Sequence, residues 1–151
     1  LAGGTRFDLA IVARDAVAAI APSGLARGVE VGLDAAPAQV VGDPALVAIL
    51  LRNLLDNAIR YSPAGTAVDV RVRTADGGSE LAVSDQGPGV PPDERERLGE
   101  RFHRVLGAGE PGSGLGLSIV RRIAELHHAA LSFHEPASGR GLEVRVRFAQ
   151  R

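Results

Sequence analysis

Two segments of this chain alternate so strictly that they fix its architecture. In residues 68–73, Val68, Val70 and Val72 alternate with Asp69, Arg71 and Arg73. In residues 142–148, Leu142, Val144, Val146 and Phe148 alternate with Glu143, Arg145 and Arg147. A period of two sends successive side chains to opposite faces of a strand, so one face of each strand is apolar and the other charged. Strands covered by helices on both sides are instead apolar almost throughout. The pattern predicts an α/β protein of two layers: a mixed, mostly antiparallel sheet of about five strands, wet on one side, with helices on the other. The pattern argues against a doubly wound dinucleotide-binding fold.

The other elements follow from punctuation and period. Residues 1–7 read as a loose lead-in, and Asp8 caps a helix that Pro22 and Gly24 end near Ala21. Val29, Val31 and Leu33 read as a strand, and residues 39–41 as a shorter one. Asp43 caps and Pro44 opens a long helix to Tyr61, stopped by Ser62-Pro63-Ala64-Gly65. Asp76-Gly77-Gly78 turns the Val68–Val72 strand into one through Leu81 and Val83. Residues 85–112 read as irregular, with a short helix around 93–98. A helix follows over 114–127, with Leu115, Ile119, Ile123 and Leu126 inside and Arg121, Arg122 and Glu125 outside. A hairpin of residues 130–134 and 142–148 closes the chain. At 151 residues this is one core, divided into a lead-in and linker helix (1–26) and a functional domain (27–151).

Charge and composition narrow the function. Seventeen basic residues face 18 acidic ones, without the basic excess of a nucleic-acid binder. The absence of cysteine rules out disulfides, thiolate metal sites and a cysteine nucleophile. No apolar run approaches the eighteen or so residues that span a bilayer, and the first residues lack a signal-peptide pattern.

Four segments carry chemistry. On the long helix, Val47, Leu51, Leu54 and Ala58 form the core stripe, and Asn53, Asn57 and Arg60 form a second stripe roughly 100° round the axis. Asparagine is a poor helix former. Two of them one turn apart are either solvated and back-bonding, or amide oxygens offered to a hard cation or to phosphate. In Val83-Ser84-Asp85-Gln86-Gly87-Pro88-Gly89-Val90 a strand ends in a carboxylate beside glycines that let a ligand approach the backbone. That carboxylate could accept from an exocyclic amine such as adenine's; a tight surface turn is the plainer reading. Gly112-Ser113-Gly114-Leu115-Gly116-Leu117-Ser118 leads into a helix whose bare N–H groups suit phosphate, without the lysine of a P-loop. Glu100-Arg101-Phe102-His103-Arg104 reads equally as a lid able to meet phosphate and as a solvated loop anchored by Phe102.

The order of these segments resembles the boxes of bacterial sensor histidine kinases. Asn53-Leu54-Leu55-Asp56-Asn57-Ala58-Ile59-Arg60-Tyr61-Ser62 resembles the N box, Asp85-Gln86-Gly87-Pro88-Gly89 the G1 box, Arg101-Phe102-His103-Arg104 the F box and Gly112 to Val120 the G2 box. The resemblance spans residues 28–148 and is to the GHKL ATP-binding superfamily with its Bergerat-type sandwich. It implies ATP and Mg²⁺ as cofactors. Asn57, with Asn53 beside it, would hold Mg²⁺; Arg60 would reach the phosphates; Tyr61 would lie against adenine. Asp85 would take the adenine amine, with Gly87, Gly89 and Val90 shaping the base pocket. Gly112, Gly114 and Gly116 would bring the lid and helix start to the phosphates, with Phe102, Leu115 and Leu117 also among the nucleotide-binding positions. Arg104 would neutralise the γ-phosphate, making Asn53, Arg60 and Arg104 the catalytic set.

ATP-hydrolysing relatives place a glutamate where this chain has Asn53, and an amide is no general base at neutral pH. The resemblance therefore implies γ-phosphoryl transfer to a histidine on a separate dimerisation domain, and from there to a response regulator. A nucleotide-binding module without transfer activity and a GHKL-type ATPase are the alternatives. Gly99 departs from the aromatic usual in the F box. His103, His127, His128 and His134 lie in no phosphoacceptor context and read as structural or surface residues. The expected setting is a cytoplasmic, monomeric domain of an inner-membrane sensor kinase, touching neither nucleic acid nor membrane.

Overall fold

The structure, a computed structural model, describes residues 4–88 and 115–149. Its elements in chain order are β1 (Thr5–Asp8), α1 (Leu9–Ala26), β2 (Glu30–Ala35), β3 (Gln39–Gly42), α2 (Pro44–Tyr61), β4 (Ala67–Ala75), β5 (Gly78–Ser84), α3 (Leu115–Leu126), β6 (Ala130–His134) and β7 (Glu143–Ala149). The helix expected around 93–98 lies outside the described residues.

Five strands form one sheet in the order β2-β4-β5-β7-β6. The β2–β4 pair is parallel and the rest are antiparallel. The alternation that predicted two layers sorts as expected. Val68, Val70, Val72, Leu81, Val83, Val144, Val146 and Phe148 are buried against the helices. From α2 they receive Val47, Leu50, Leu51, Leu54, Leu55, Ala58 and Ile59. On the other face Glu143 meets Arg71 and Arg145, and Arg73 meets Glu80.

Three local expectations are corrected. The presumed lead-in holds β1, which pairs antiparallel with β3 in a separate two-stranded ribbon. Asp8 serves both elements, its carboxylate accepting from Ala10 N to cap α1 and from Ala38 N at the entry to β3. Second, α1 continues through Pro22 to Ala26. What stops it is Gly28, in the left-handed region at φ 76°. Gly28 N–H donates to the Leu25 carbonyl and Val29 N–H to the Gly24 carbonyl, the paired bonds of a Schellman cap. Third, the inward stripe of α3 is Val120, Ile123, Ala124 and then His127, while Ile119 is exposed.

By length and a mean hydropathy of 1.5, α1 is apolar enough to cross a membrane. Here it carries Arg14 and Asp15 and lays Leu9, Ala13 and Ile20 into the core beside α2 and β2.

Candidate functional site

The candidate site forms where the C-terminal half of α2 meets the start of α3 and the end of β5. Asp43 starts α2, its carboxylate accepting from Ala45 N and Leu46 N at 2.9 and 3.3 Å. Three turns on, Asn53 donates through Nδ2 to the Ile49 carbonyl at 2.8 Å. This is the back-bonding that the sequence allowed, and it commits only the amide nitrogen. Oδ1 turns toward Gly116, lying 3.3 Å from where a β-carbon on that glycine would sit. Both amide atoms of Asn57 lie 3.7 Å from the same point. Gly116 thus leaves open a space on which two carboxamides converge. Carbonyl oxygens of this kind suit a hard cation that keeps part of its water shell and shares phosphate ligands. Among the described residues no group of three His, Asp or Glu is arranged for a metal ion, so the amides are the donors to consider.

Asp85 follows directly on β5 and is 8% exposed. Its Oδ1 accepts from Gly87 N at 2.9 Å and from Leu142 N at 3.1 Å, while its own N–H donates to the Leu142 carbonyl. Burial pushes its pKa up, and the two backbone bonds offset only part of that. Because Oδ1 takes both bonds, Oδ2 is the oxygen left for a partner beyond the described residues.

Two glycines make this clamp possible. A β-carbon on Gly87 would collide with the Tyr61 carbonyl, and one on Gly141, at φ 100°, with the Asp85 carbonyl. The first contact seats the turn after Asp85 on the last residue of α2, one turn from Asn57. Gln86 ties the same turn to β4 by accepting from Ala67 N at 3.1 Å.

Of the residues marked from the sequence, the structure brings together Asn53, Asn57 and Gly116, and separately Tyr61, Asp85 and Gly87. Arg60 lies half-buried in the last turn of α2, where its carbonyl accepts from Arg27 Nη2 at 3.4 Å. Leu115 opens α3 and Leu117 is half-buried. Gly89, Val90, Phe102, Arg104, Gly112 and Gly114 lie outside the described residues. Sequence reading missed Leu142, which holds Asp85 from 57 positions away, and Gly141 beside it, whose lack of a side chain lets the two strands close. The glycine beside the closing strand was their only signal. A groove of about 480 Å³ lined by Asp34, Asp69, Arg71 and Glu143, and reaching Asp85 and Gln86, opens on the charged sheet face.

Comparison with known proteins bears on the fold and the family. The family model described as "Histidine kinase-, DNA gyrase B-, and HSP90-like ATPase" matches residues 42–151. The chain is 48% identical over 93 residues to the sensor protein QseC of Escherichia coli (strain K12), covering 62% of this chain and 20% of that protein. It therefore spans about a fifth of the length of that relative. The solved mycobacterial sensor histidine kinase MprB is similar with a TM-score of 0.86 and 34% identity, covering 98% of each chain. Full-length ShkA, solved in complex with AMPPNP, is similar with a TM-score of 0.83 and 27% identity over 99% of this chain and 32% of that one.

Proposed function

The chain belongs to the family of histidine kinase-, DNA gyrase B- and HSP90-like ATPases, among the catalytic domains of sensor histidine kinases, and on that premise we propose that it holds Mg-ATP and donates the γ-phosphoryl to a histidine on a separate dimerisation domain. The observation that carries the reading is the convergence of Asn53 Oδ1 and the Asn57 amide on the gap at Gly116, with Asp85 clamped beside the end of the same helix. The likeness to ShkA, a complex with AMPPNP, supports the nucleotide assignment.

Asp85 Oδ2 would accept from the adenine amine, Tyr61 would line the base, and Arg60, with Arg104 from outside the described residues, would meet the phosphates. Asn57, with Asn53 Oδ1, would hold Mg²⁺, which would supply charge neutralisation at the phosphate oxygens. Phosphoryl transfer asks a protein chiefly for positioning and electrostatic stabilisation. Asn53 cannot take a proton from water, and its nitrogen is already committed to Ile49. Attack therefore falls to the nucleophilic nitrogen of a presented histidine.

The dimerisation helices would join through residues 1–26, and a response regulator would receive the phosphoryl group from them. The parent would be a membrane sensor with this domain in the cytosol, and the domain alone would be a monomer. Calorimetry with a non-hydrolysable ATP analogue tests the site: affinity should depend on Mg²⁺. Incubation with labelled ATP and a dimerisation fragment tests the chemistry. Label on the fragment's histidine is the expected result. Binding without transfer to any such fragment would leave a nucleotide-binding module, and steady turnover by the isolated domain would restore the ATPase reading.

A further inference from the structure

The helices α2 and α3 run in opposite directions and meet at both ends. At one end Gly116 faces Asn53 and Asn57. At the other, His127, directly after the last residue of α3 and 7% exposed, reaches the cap of α2. Its Nδ1 lies 2.9 Å from the Ile123 carbonyl, and its Nε2 accepts from Asp43 N–H at 3.1 Å. A carbonyl can only accept and an N–H can only donate, so one form of the ring satisfies both: neutral, with the proton on Nδ1. In a capping box, a Glu or Gln three residues into the helix would accept the N-cap's N–H. Here that position is Leu46, and a histidine from another helix takes over the role. Phe148 of β7 packs edge-on to the ring at 6.0 Å between centroids. A β-carbon on Gly42, at the end of β3, would run into it. Three elements thus grip one side chain at the far end of α3.

We propose that His127 is a positioning residue that sets the axial register of α3 on α2, and so holds the start of α3 over the asparagine pair. The link to activity rests on the proposed function, in which that pair holds the magnesium nucleotide. Eleven residues of helix, about 16 Å, separate Gly116 from His127. A helix is stiff along its axis, so a contact that fixes one end fixes the other. An ordinary core residue would change stability alone; a register clip also changes the environment at Gly116.

The test compares His127→Phe, which keeps an aromatic ring, though a larger one, and loses both hydrogen bonds, with His127→Gln, whose amide oxygen can stand in for Nε2. Gly42→Ala is a third variant, displacing the ring while keeping the histidine. Three readouts serve: the tautomer from nitrogen-15 correlations of the wild-type ring, the backbone amide resonances of Gly116 and Asn57, and calorimetric affinity for a magnesium ATP analogue. The expected results are a proton on Nδ1 in wild type, displaced Gly116 and Asn57 resonances in His127→Phe and Gly42→Ala, and recovery in His127→Gln. Affinity should fall roughly fivefold in the first two, as for one lost hydrogen bond. The proposal is overturned if the proton sits on Nε2, or if folded His127→Phe leaves Gly116, Asn57 and the affinity unchanged. Wild-type protein that binds no nucleotide would defeat the proposed function instead, and the amide resonances would still decide the clip.

Discussion

At the residue scale the site sets two demands against each other. Burial raises the Asp85 pKa beyond what Gly87 and Leu142 offset. A carboxyl with a higher pKa folded than unfolded stabilises the fold below its unfolded pKa, and that stabilisation is lost as pH rises through the folded value. At neutral pH its charge therefore works against folding. Asp85→Asn keeps an oxygen for both backbone donors but turns an NH₂ toward the base amine. It should raise the melting temperature of the nucleotide-free domain while weakening ATP at least tenfold, given about 1.5–3 kcal/mol for a hydrogen bond to a charged group. Thermal melts and calorimetry read the two effects separately; a lower melting temperature at pH 7 would contradict the first. Asn57→Ala belongs to the same scale. It should remove the Mg²⁺ dependence of nucleotide affinity and leave the fold intact, and an unchanged affinity difference with and without Mg²⁺ would refute the metal role. The asparagine pair was legible because its spacing is local. The clamp on Asp85 was not, because Leu142 reaches it only through strand pairing between β5 and β7.

At the element scale the sequence misled wherever tertiary packing overrode a local signal. Proline ordinarily ends or kinks a helix, yet α1 passes through Pro22 because Ile20 before it and Gly24 after it are both packed into the core. Gly24 is there for contact: a β-carbon on it would lie 2.7 Å from the Val29 carbonyl. The true stop, Gly28, was readable as a glycine after Ala26-Arg27, but the earlier proline drew the boundary forward. Since Pro22 leaves the Ala18 carbonyl without its helical N–H, Pro22→Ala should stabilise the domain. Interior proline costs about 3 kcal/mol, and the freer unfolded chain of the variant returns about 0.4–1 kcal/mol of that. A gain of roughly 2–2.6 kcal/mol in urea unfolding is expected, and a loss would mean that the ring's packing outweighs the missing bond. The period of α3 was misread for a related reason. Choosing Leu115, Ile119 and Ile123 hid the alternative stripe Val120, Ile123, Ala124, His127, which differs by one position and ends on a polar residue. Apolar periodicity cannot nominate a histidine as core; only the acceptor and donor awaiting it at Ile123 and Asp43 do so.

At the scale of the molecule, the charged face that revealed the two layers also governs how the domain meets acid. Glu143 is only 4% exposed. Burial alone would raise its pKa, but hydrogen bonds from Ser84 and Arg145 and the charges of Arg145 and Arg71 outweigh it and hold the carboxyl below its ordinary value. The sign is opposite to that of Asp85. A depressed carboxyl stabilises the fold above its unfolded pKa, about 4.3 for glutamate, and that stabilisation is lost as pH falls through the folded value. Ser84 pairs in register with Glu143 on neighbouring strands, one residue from the pair formed by Asp85 and Leu142. Protonating Glu143 therefore loosens the strand ends that hold the proposed adenine acceptor, while protonating Asp85 favours the fold. The two effects separate by measurement. Melting temperature followed from pH 7 down to pH 3 should fall below about pH 4.3 in wild type, fall more shallowly in Glu143→Gln, and fall more steeply in Asp85→Asn, which lacks the opposing contribution. Identical acid profiles for wild type and Glu143→Gln would show that its two arginines and Ser84 do no more than neutralise its burial, and would leave the wet face of the sheet without a part in holding the site.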